Sequence, residues 1–498
     1  MSEASALSPA DTETIAHTAA PADRGTDPGP RRPAGTAAPI ATRSAVRGPL
    51  TAAGLSNPSS WLPWVVAGLL AAFYAAASIR RHVELLTSAY DLGIYDQVVR
   101  SYSHWGLPYN SIQGPHFNVF GDHFSPVLAL LAPFHRLFES PITLLAGQSV
   151  LIAVGVVPLM RWAYRSVGLG ASLVVGFGYG FSFGVANAVT FDFHEVAFAA
   201  PLISFAVVAF GEGRLLQAVL WAAPLVLVKE DLGLTVAVLG LLVAWRGRRL
   251  LGLLTTLGGG LASMLAVLVI IPAVNPLGHN VKSSKFGTSL VHQVTTLLAP
   301  DIKILTLVFL LAPTVFLALR SPILILAVPT LLWRFLATDT AYWGVGYHYS
   351  LILMPIVFAA FVDVLRRRPH QLRWILIGST LITAYLVPQN GFAPAFTAGL
   401  WHTDAGTASI RQLLAQIPND VTVAASNRLA PQLTSRDQVT LIGRTPLAVS
   451  QPQYIVSETA GVGFPLGDDG QRAWLADALG HGYQQIGQAG VVVLLKKS

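Results

Sequence analysis

Between residues 61 and 388 the chain repeats apolar stretches of roughly 15 to 23 residues, close to the length a helix needs to cross a hydrocarbon core. Within lipid every backbone N–H and C=O must be satisfied by the segment itself or by a closed barrel, so stretches of this length are expected as helices. About eleven spans fit the length rule, which predicts an α-helical polytopic membrane protein. Composition points the same way, with 53% of residues hydrophobic and 11% charged, where a soluble domain carries about a quarter charged. The net charge of +7 lies in short basic clusters between apolar segments. There it sets orientation, and no nucleic-acid-binding motif accompanies it. The chain has no cysteine, which excludes disulfides, thiolate ligands and a Cys nucleophile. Any metal must therefore bind through oxygen or imidazole.

Residues 1–58 are rich in Ala, Pro, Thr, Ser and Gly and contain no apolar run, so they read as a disordered tail. The tail lacks the apolar core of a signal peptide, and the first span, near 61–78, is expected to act as an uncleaved signal anchor. Arg43 and Arg47 would hold the tail in the cytoplasm. The basic groups at 161–165, 214, 246–249, 320 and 366–368 are then cytoplasmic, which leaves 80–141, 191–195, 229–231, 273–301 and 338–349 outside the plasma membrane. Residues 124–138 are apolar but short, with Pro126, Pro133, His135 and Arg136. Counting them as a span inverts everything downstream, so an interfacial or re-entrant helix in the large first outer loop is expected. The last span falls near 374–387, ending a membrane domain over 59–390. Beyond it, strand-like runs at 421–425, 439–442, 454–456 and 491–495, with helices near 408–417 and 471–479, predict a small extracytoplasmic α/β domain over 391–498. Its expected role is to cover or brace the membrane site.

On this topology the acidic and histidine residues gather at span boundaries on one side. Ionisable groups at such depth are costly and usually mark function. Asp91 and Asp96 follow the first span; either is a candidate general base, and a helix cap with a solvated neighbour is the structural alternative. Asp122 and His123 precede the interfacial segment and have the chemistry to bind a divalent cation or a phosphate. Asp192, His194 and Glu195 are wedged between spans, where solvation explains them poorly. Lys229, Glu230 and Asp231 interrupt the apolar stretch 215–245, and because Arg214 and Arg246 both belong inside, two short spans with an outer turn are expected. The lysine suits an anionic phosphate, while a self-neutralising cluster is the bland reading. His279, Lys282 and Lys285, and Tyr347-His348-Tyr349, complete the polar outer segments.

These residues resemble the GT-C superfamily of integral-membrane glycosyltransferases. Tyr90-Asp91 with Tyr95 matches an acidic residue just after the first span, residues 123–128 a proline-containing juxtamembrane helix, Asp192 a second aspartate opening the fourth span, and Lys229 a lysine ending the fifth. A closer likeness is to a bacterial multi-pass family of unknown function, through residues 91–97, 121–126, 191–195 and 229–233, extending over about 80–498. The chain departs from the characterised enzymes in having Leu92 after Asp91 and Glu230-Asp231 after Lys229.

The resemblance implies inverting transfer of a sugar from a polyprenyl-phosphate donor to an envelope glycan, lipid or protein on the outer face. Asp91, Asp96 and Asp192 are the candidate catalytic carboxylates, with Asp91 preferred as base. Lys229, His123 and His348 are candidates for the donor phosphate. Asp122, His194, Glu195, Glu230 and Asp231 are candidates for a divalent cation such as Mg or Mn. Two other classes compete: a transporter or flippase of a lipid-linked substrate, which should place its coupling residues near the bilayer midplane, and a noncatalytic envelope scaffold.

Overall fold

The first helix starts where the sequence supplies a cap: Asn57 accepts from Ser59 N at 3.0 Å, and Pro58 takes the opening position, where a missing N–H is harmless. The computed structural model describes residues 57–280, 290–368, 371–461 and 463–498; Arg43, Arg47, Lys282 and Lys285 lie outside them. The protein is mostly helical. Among the described residues three helices are long and apolar enough to cross a membrane: α1 (Pro58–Val83), Pro141–Ser166 and Arg249–Val274. Leu169–Gly180 and Phe183–Thr190 make a fourth if the pair, bent by 41°, is one span. The remaining apolar segments form helices of 10–17 residues, among them Pro126–Leu137, Glu195–Gly211, Leu215–Leu227 and Pro322–Leu336. Helix length alone thus falls short of about eleven spans. Within three of these segments a 3-10 stretch adjoins the α-helix, with Pro126, Pro224 and Pro322 in its first two positions. The 215–245 stretch does divide as its charges predict, with helices either side of residues 228–231.

After α1 the chain turns through an irregular segment at Ala89–Gly93 into α2 (Ile94–Ser103). Farther on, α3 (Leu232–Trp245) and α4 (Arg249–Val274) form a hairpin in which small residues bring the backbones together. A methyl at Gly252 would sit 2.4 Å from Ala244 N, and one at Gly240 2.5 Å from Thr256 N. The opposite face of α4 exposes Leu250, Leu254, Leu257, Leu261 and Leu268, a continuous apolar surface suited to lipid. The hairpin matters for the site because Ser263 Oγ donates to Glu230 O at 2.6 Å, tying α4 to the turn that precedes α3. Gly240→Val is expected to lower the thermal unfolding midpoint in detergent by several degrees, since overpacking of this kind costs about 1–3 kcal/mol. Gly258→Ala, with nothing within 4 Å of its methyl, should leave the midpoint nearly unchanged.

The C-terminal part forms a five-stranded sheet: β1 (Thr422–Ala425), β2 (Gln438–Leu441), β3 (Tyr454–Glu458), β4 (Tyr483–Ala489) and β5 (Val492–Lys497), in the order β2-β1-β3-β5-β4. The first three strands are parallel, whereas β5 runs antiparallel to both β3 and β4. Strand alternation sorts the faces. Val423, Ala425 and Leu494 join the core shared with the helices, while Ala424, Ile455 and Leu495 pack with Leu475 and Ala478 of α5 (Gly467–Gly480). Four of these strands and α5 match the periodicity seen in the sequence. Strand β4 escapes it because Gln484, Gln485 and Gln488 break the apolar alternation and a bulge falls between Gln485 and Gly487.

The sheet and its connecting segments are hydrogen-bonded to the segment after α1. Ala89 N donates to Asn427 O at 2.7 Å, Gln97 Nε2 to Val439 O at 2.9 Å, and Arg100 to Asp437 O at 2.9 Å.

Candidate functional site

Asp91 lies within the irregular turn that leads into α2, and Asp96 in the first turn of α2 itself. Asp96 lies on the inner face of α2, fully buried, 3.1 Å from His135 Nε2, and accepts from Thr434 Oγ1 at 2.7 Å. It is a strut between α2, the segment Pro126–Leu137 and the sheet domain, and it is not among the residues that line the cavity beside Asp91. Asp91 keeps 29% of its side chain accessible and meets His194 Nε2 through Oδ2 at 2.6 Å. The turn that aims it is held from the sheet domain: Tyr90 N donates to Asn427 Oδ1 at 3.4 Å, and the Tyr90 ring packs against Phe464 and under the Arg444 guanidinium.

A cavity of about 640 Å³ opens beside this pair. Asp91, His123, His194, Lys229, Glu230, Asp231 and His348 line its polar end, and Leu234, Val267, Leu268, Pro272, Trp333 and Ala337 its apolar wall. Groups from five separate segments thus converge. Four of these segments are fixed by residues that the sequence left inconspicuous. Gln148, inside an apolar helix, donates to Asp192 O at 2.7 Å and accepts from His194 N at 3.0 Å, clamping residues 192–194. Arg334, fully buried, donates to Tyr342 O, Gly344 O and Ser350 Oγ at 2.8, 2.9 and 3.1 Å, and so shapes the loop that presents His348. Trp333 Nε1 donates to Asp231 Oδ2 at 2.9 Å. The available signal for Gln148 and Arg334 was their cost: a lone polar side chain in an apolar run needs a partner. Asn427 and Arg444, in soluble-type sequence, carried no such signal.

The charges pair in a chain of contacts. Lys229 Nζ lies 2.8 Å from Glu195, which is fully buried and also accepts from the Tyr95 hydroxyl. Burial opposes the lysine's charge, but Glu195, Glu230 and Asp231 more than offset this and raise its pKa above the ordinary value, so Lys229 stays protonated. His123 Nδ1 is 2.8 Å from Glu230. His194 and His348 stack with ring centroids 3.4 Å apart; burial, and then the neighbouring His194 and Lys229, depress the pKa of His348 well below the usual range and keep it neutral. Both imidazoles stand beside residues with left-handed backbone, Asp192 at φ 51° and Tyr347 at φ 61°. Such conformations cost on the order of 1–3 kcal/mol and cluster at functional sites.

The residues proposed for a cation do not form one set. Glu195 is taken by Lys229 and Tyr95, Glu230 by His123, Asp231 by Trp333, and Asp122 accepts from Gln113 Nε2 at 2.9 Å. Of that set only His194 enters the group of three whose ligand atoms lie within 4.8 Å of one another, namely Asp91, His194 and His348. Neighbours along a loop point to opposite sides, so adjacency in sequence does not predict shared coordination.

Asp192 borders the cavity without lining it. Ser88 N donates to its carboxylate at 3.1 Å and Ser88 Oγ makes a second, short hydrogen bond. Burial pushes its pKa up to about 7, with the Ser88 hydrogen bond opposing and Asp91 adding. The native state therefore holds a proton that an unfolded chain loses near pH 4. This group's stabilising contribution is complete below about pH 4 and declines as pH rises towards 7. Asp192→Asn is expected to flatten the wild-type fall in unfolding midpoint between pH 4 and 7.5, and Asp192→Ala to lower the midpoint at every pH.

A second, shallower cavity of about 510 Å³ lies between α2 and the sheet domain, lined by Arg100, His104, His116 and Asp437 among others. It holds none of the clustered groups just described. In comparisons with known proteins, a family model described as "Predicted membrane protein (DUF2079)" matches residues 81–493, which include every residue of the site. No curated protein matches the chain.

Proposed function

The chain belongs to the DUF2079 family of predicted membrane proteins, and for it we propose transfer of a glycosyl group, with inversion, from a polyprenyl-phosphate donor to a hydroxyl of a cell-envelope acceptor. The observation that carries this reading is the single cavity in which an apolar wall meets the Asp91–His194 pair and the Lys229 ammonium. That combination suits an amphiphile: the prenyl chain lies along Leu234, Val267, Leu268 and Trp333, and the phosphate stops at Lys229 and His123. The GT-C resemblance of residues 90–95, 123–128, 192 and 229 supports the same substrate class.

In the proposed step an acceptor hydroxyl gives its proton to the Asp91 carboxylate as its oxygen attacks the anomeric carbon, and the bond from that carbon to the phosphate oxygen breaks. His194, hydrogen-bonded to Oδ2, orients the base. Lys229 uses one contact on Glu195, and an ammonium has three donors; the others are offered to the departing phosphate, whose developing charge they stabilise. Asp192 is assigned a positioning role through Ser88, two residues before Tyr90.

The basic clusters orient the chain with its tail in the cytoplasm, and the site, together with the α/β domain of 391–498, on the outer face of the plasma membrane. Nucleotide sugars are not supplied there, whereas a lipid-linked donor is delivered within the bilayer. The test is glycosyl transfer by purified protein in lipid vesicles, offered a panel of radiolabelled polyprenyl-phosphate sugars and envelope extracts with and without divalent cations. Donor-dependent labelling of an acceptor is expected. Intact donor throughout, with the protein folded, or donor carried across the vesicle unchanged, contradicts transfer and favours a flippase.

A further inference from the structure

We propose that Asp91, His194 and His348 form a binding site for a divalent transition metal of the zinc type. The site draws on three distant segments of chain, and one potential ligand atom from each lies within 4.8 Å of the others. Both histidines are more than nine-tenths buried. Neither ring nitrogen of His348 has a hydrogen-bond partner, and Nδ1 of His194 has none. A buried polar atom left without a partner costs about 1–3 kcal/mol, and three such atoms meet here on stacked rings at the edge of a cavity. A cation bound by one nitrogen from each ring would give one of the two His348 nitrogens its missing partner.

The donor set selects the class of ion. Two imidazoles and a carboxylate suit zinc and its first-row neighbours, whereas magnesium takes oxygen ligands almost throughout. Ligand atoms bonded to zinc at about 2.0–2.1 Å in tetrahedral array stand roughly 3.3 Å apart. The Asp91 and His194 atoms, now 2.6 Å apart in a direct hydrogen bond, must separate by under about an ångström. Three protein ligands leave a coordination position, and the cavity lies on that side. A cation there supplies Lewis-acid polarisation of an oxygen entering from the cavity. The proposal does not rest on glycosyl transfer: the ion would take over, through one carboxylate oxygen, the orientation of Asp91 that its hydrogen bond to His194 provides, and the site applies equally to a carrier or a binding protein with this cavity.

The test uses full-length protein in lipid, stripped with chelator and titrated with ZnCl₂. One tightly bound equivalent per chain is expected, with X-ray absorption at the zinc edge giving two imidazoles and an oxygen ligand. His194→Gln and His348→Gln should each weaken uptake by at least about tenfold, while His279→Gln, at the rim of the same cavity, should not. Absence of stoichiometric uptake by folded wild type, or uptake undiminished in both histidine variants, overturns the site. Should either variant fail to fold, the wild-type absorption spectrum decides alone: fewer than two imidazoles around zinc overturns it.

Discussion

Asp91→Asn is expected to abolish glycosyl transfer, with a loss on the order of 10²–10⁴-fold, while the protein keeps its unfolding midpoint and its affinity for polyprenyl phosphate. The substitution preserves shape and the contact to His194 Nε2 but removes the basicity that takes the acceptor proton. The partly accessible position of Asp91 means that no buried ion is orphaned by the change. Asp96→Asn gives the contrasting result. Asp96 is fully buried against His135 and Thr434 and does not line the cavity, so its loss is expected in the unfolding midpoint, with turnover per folded molecule retained. Turnover rates measured beside thermal unfolding on the same preparations separate the two. Equal turnover in wild type and Asp91→Asn would remove Asp91 as the base.

The second large effect falls on stability. Glu195→Gln leaves the Lys229 ammonium in a nearly closed site without its closest counter-charge. Breaking a buried pair by removing one partner costs about 3–5 kcal/mol, because the surviving charge stays desolvated. Glu195→Gln should therefore lower the unfolding midpoint more than any other single change considered, and Lys229→Met should do so less because Tyr95 still donates to Glu195. The double variant Glu195→Gln/Lys229→Met, which removes both charges, should recover much of the lost stability. Additive losses in the double variant would show that the two residues act separately.

The clusters around Asp91, His123, His194 and Lys229 were legible in the sequence because a charge in an apolar chain is conspicuous and costly to ignore. Basic residues alone placed them on one side, and the cavity does unite members of each cluster. Asp91 and Asp96 could not be told apart, being five residues apart in a segment whose turn at Ala89–Gly93 has no sequence signature. The metal candidates are distributed for a related reason. Tertiary structure splits Glu195 from His194 and joins His194 to His348, more than 150 positions away. The helical class followed from the length of the apolar runs, the break at 228–231 from the charges around it, and most of the sheet from strand periodicity. The lengths of individual apolar helices did not; at Pro224, for instance, α-helical geometry gives way to a 3-10 turn inside a stretch whose hydropathy continues.

Occupation of the cavity by a lipid phosphate is the claim on which the functional account rests, and photo-crosslinking with a diazirine-bearing polyprenyl phosphate tests it most directly. Purified protein in vesicles would be labelled, digested and mapped by mass spectrometry, with unlabelled polyprenyl phosphate as competitor. The expected adducts fall on residues 267–272 and on Trp333, disappear with competitor, and weaken in Lys229→Met. Labelling confined to Leu250, Leu254, Leu257 and Leu261 of α4 and indifferent to competitor would mean that the probe reports bulk lipid alone, and would contradict the account.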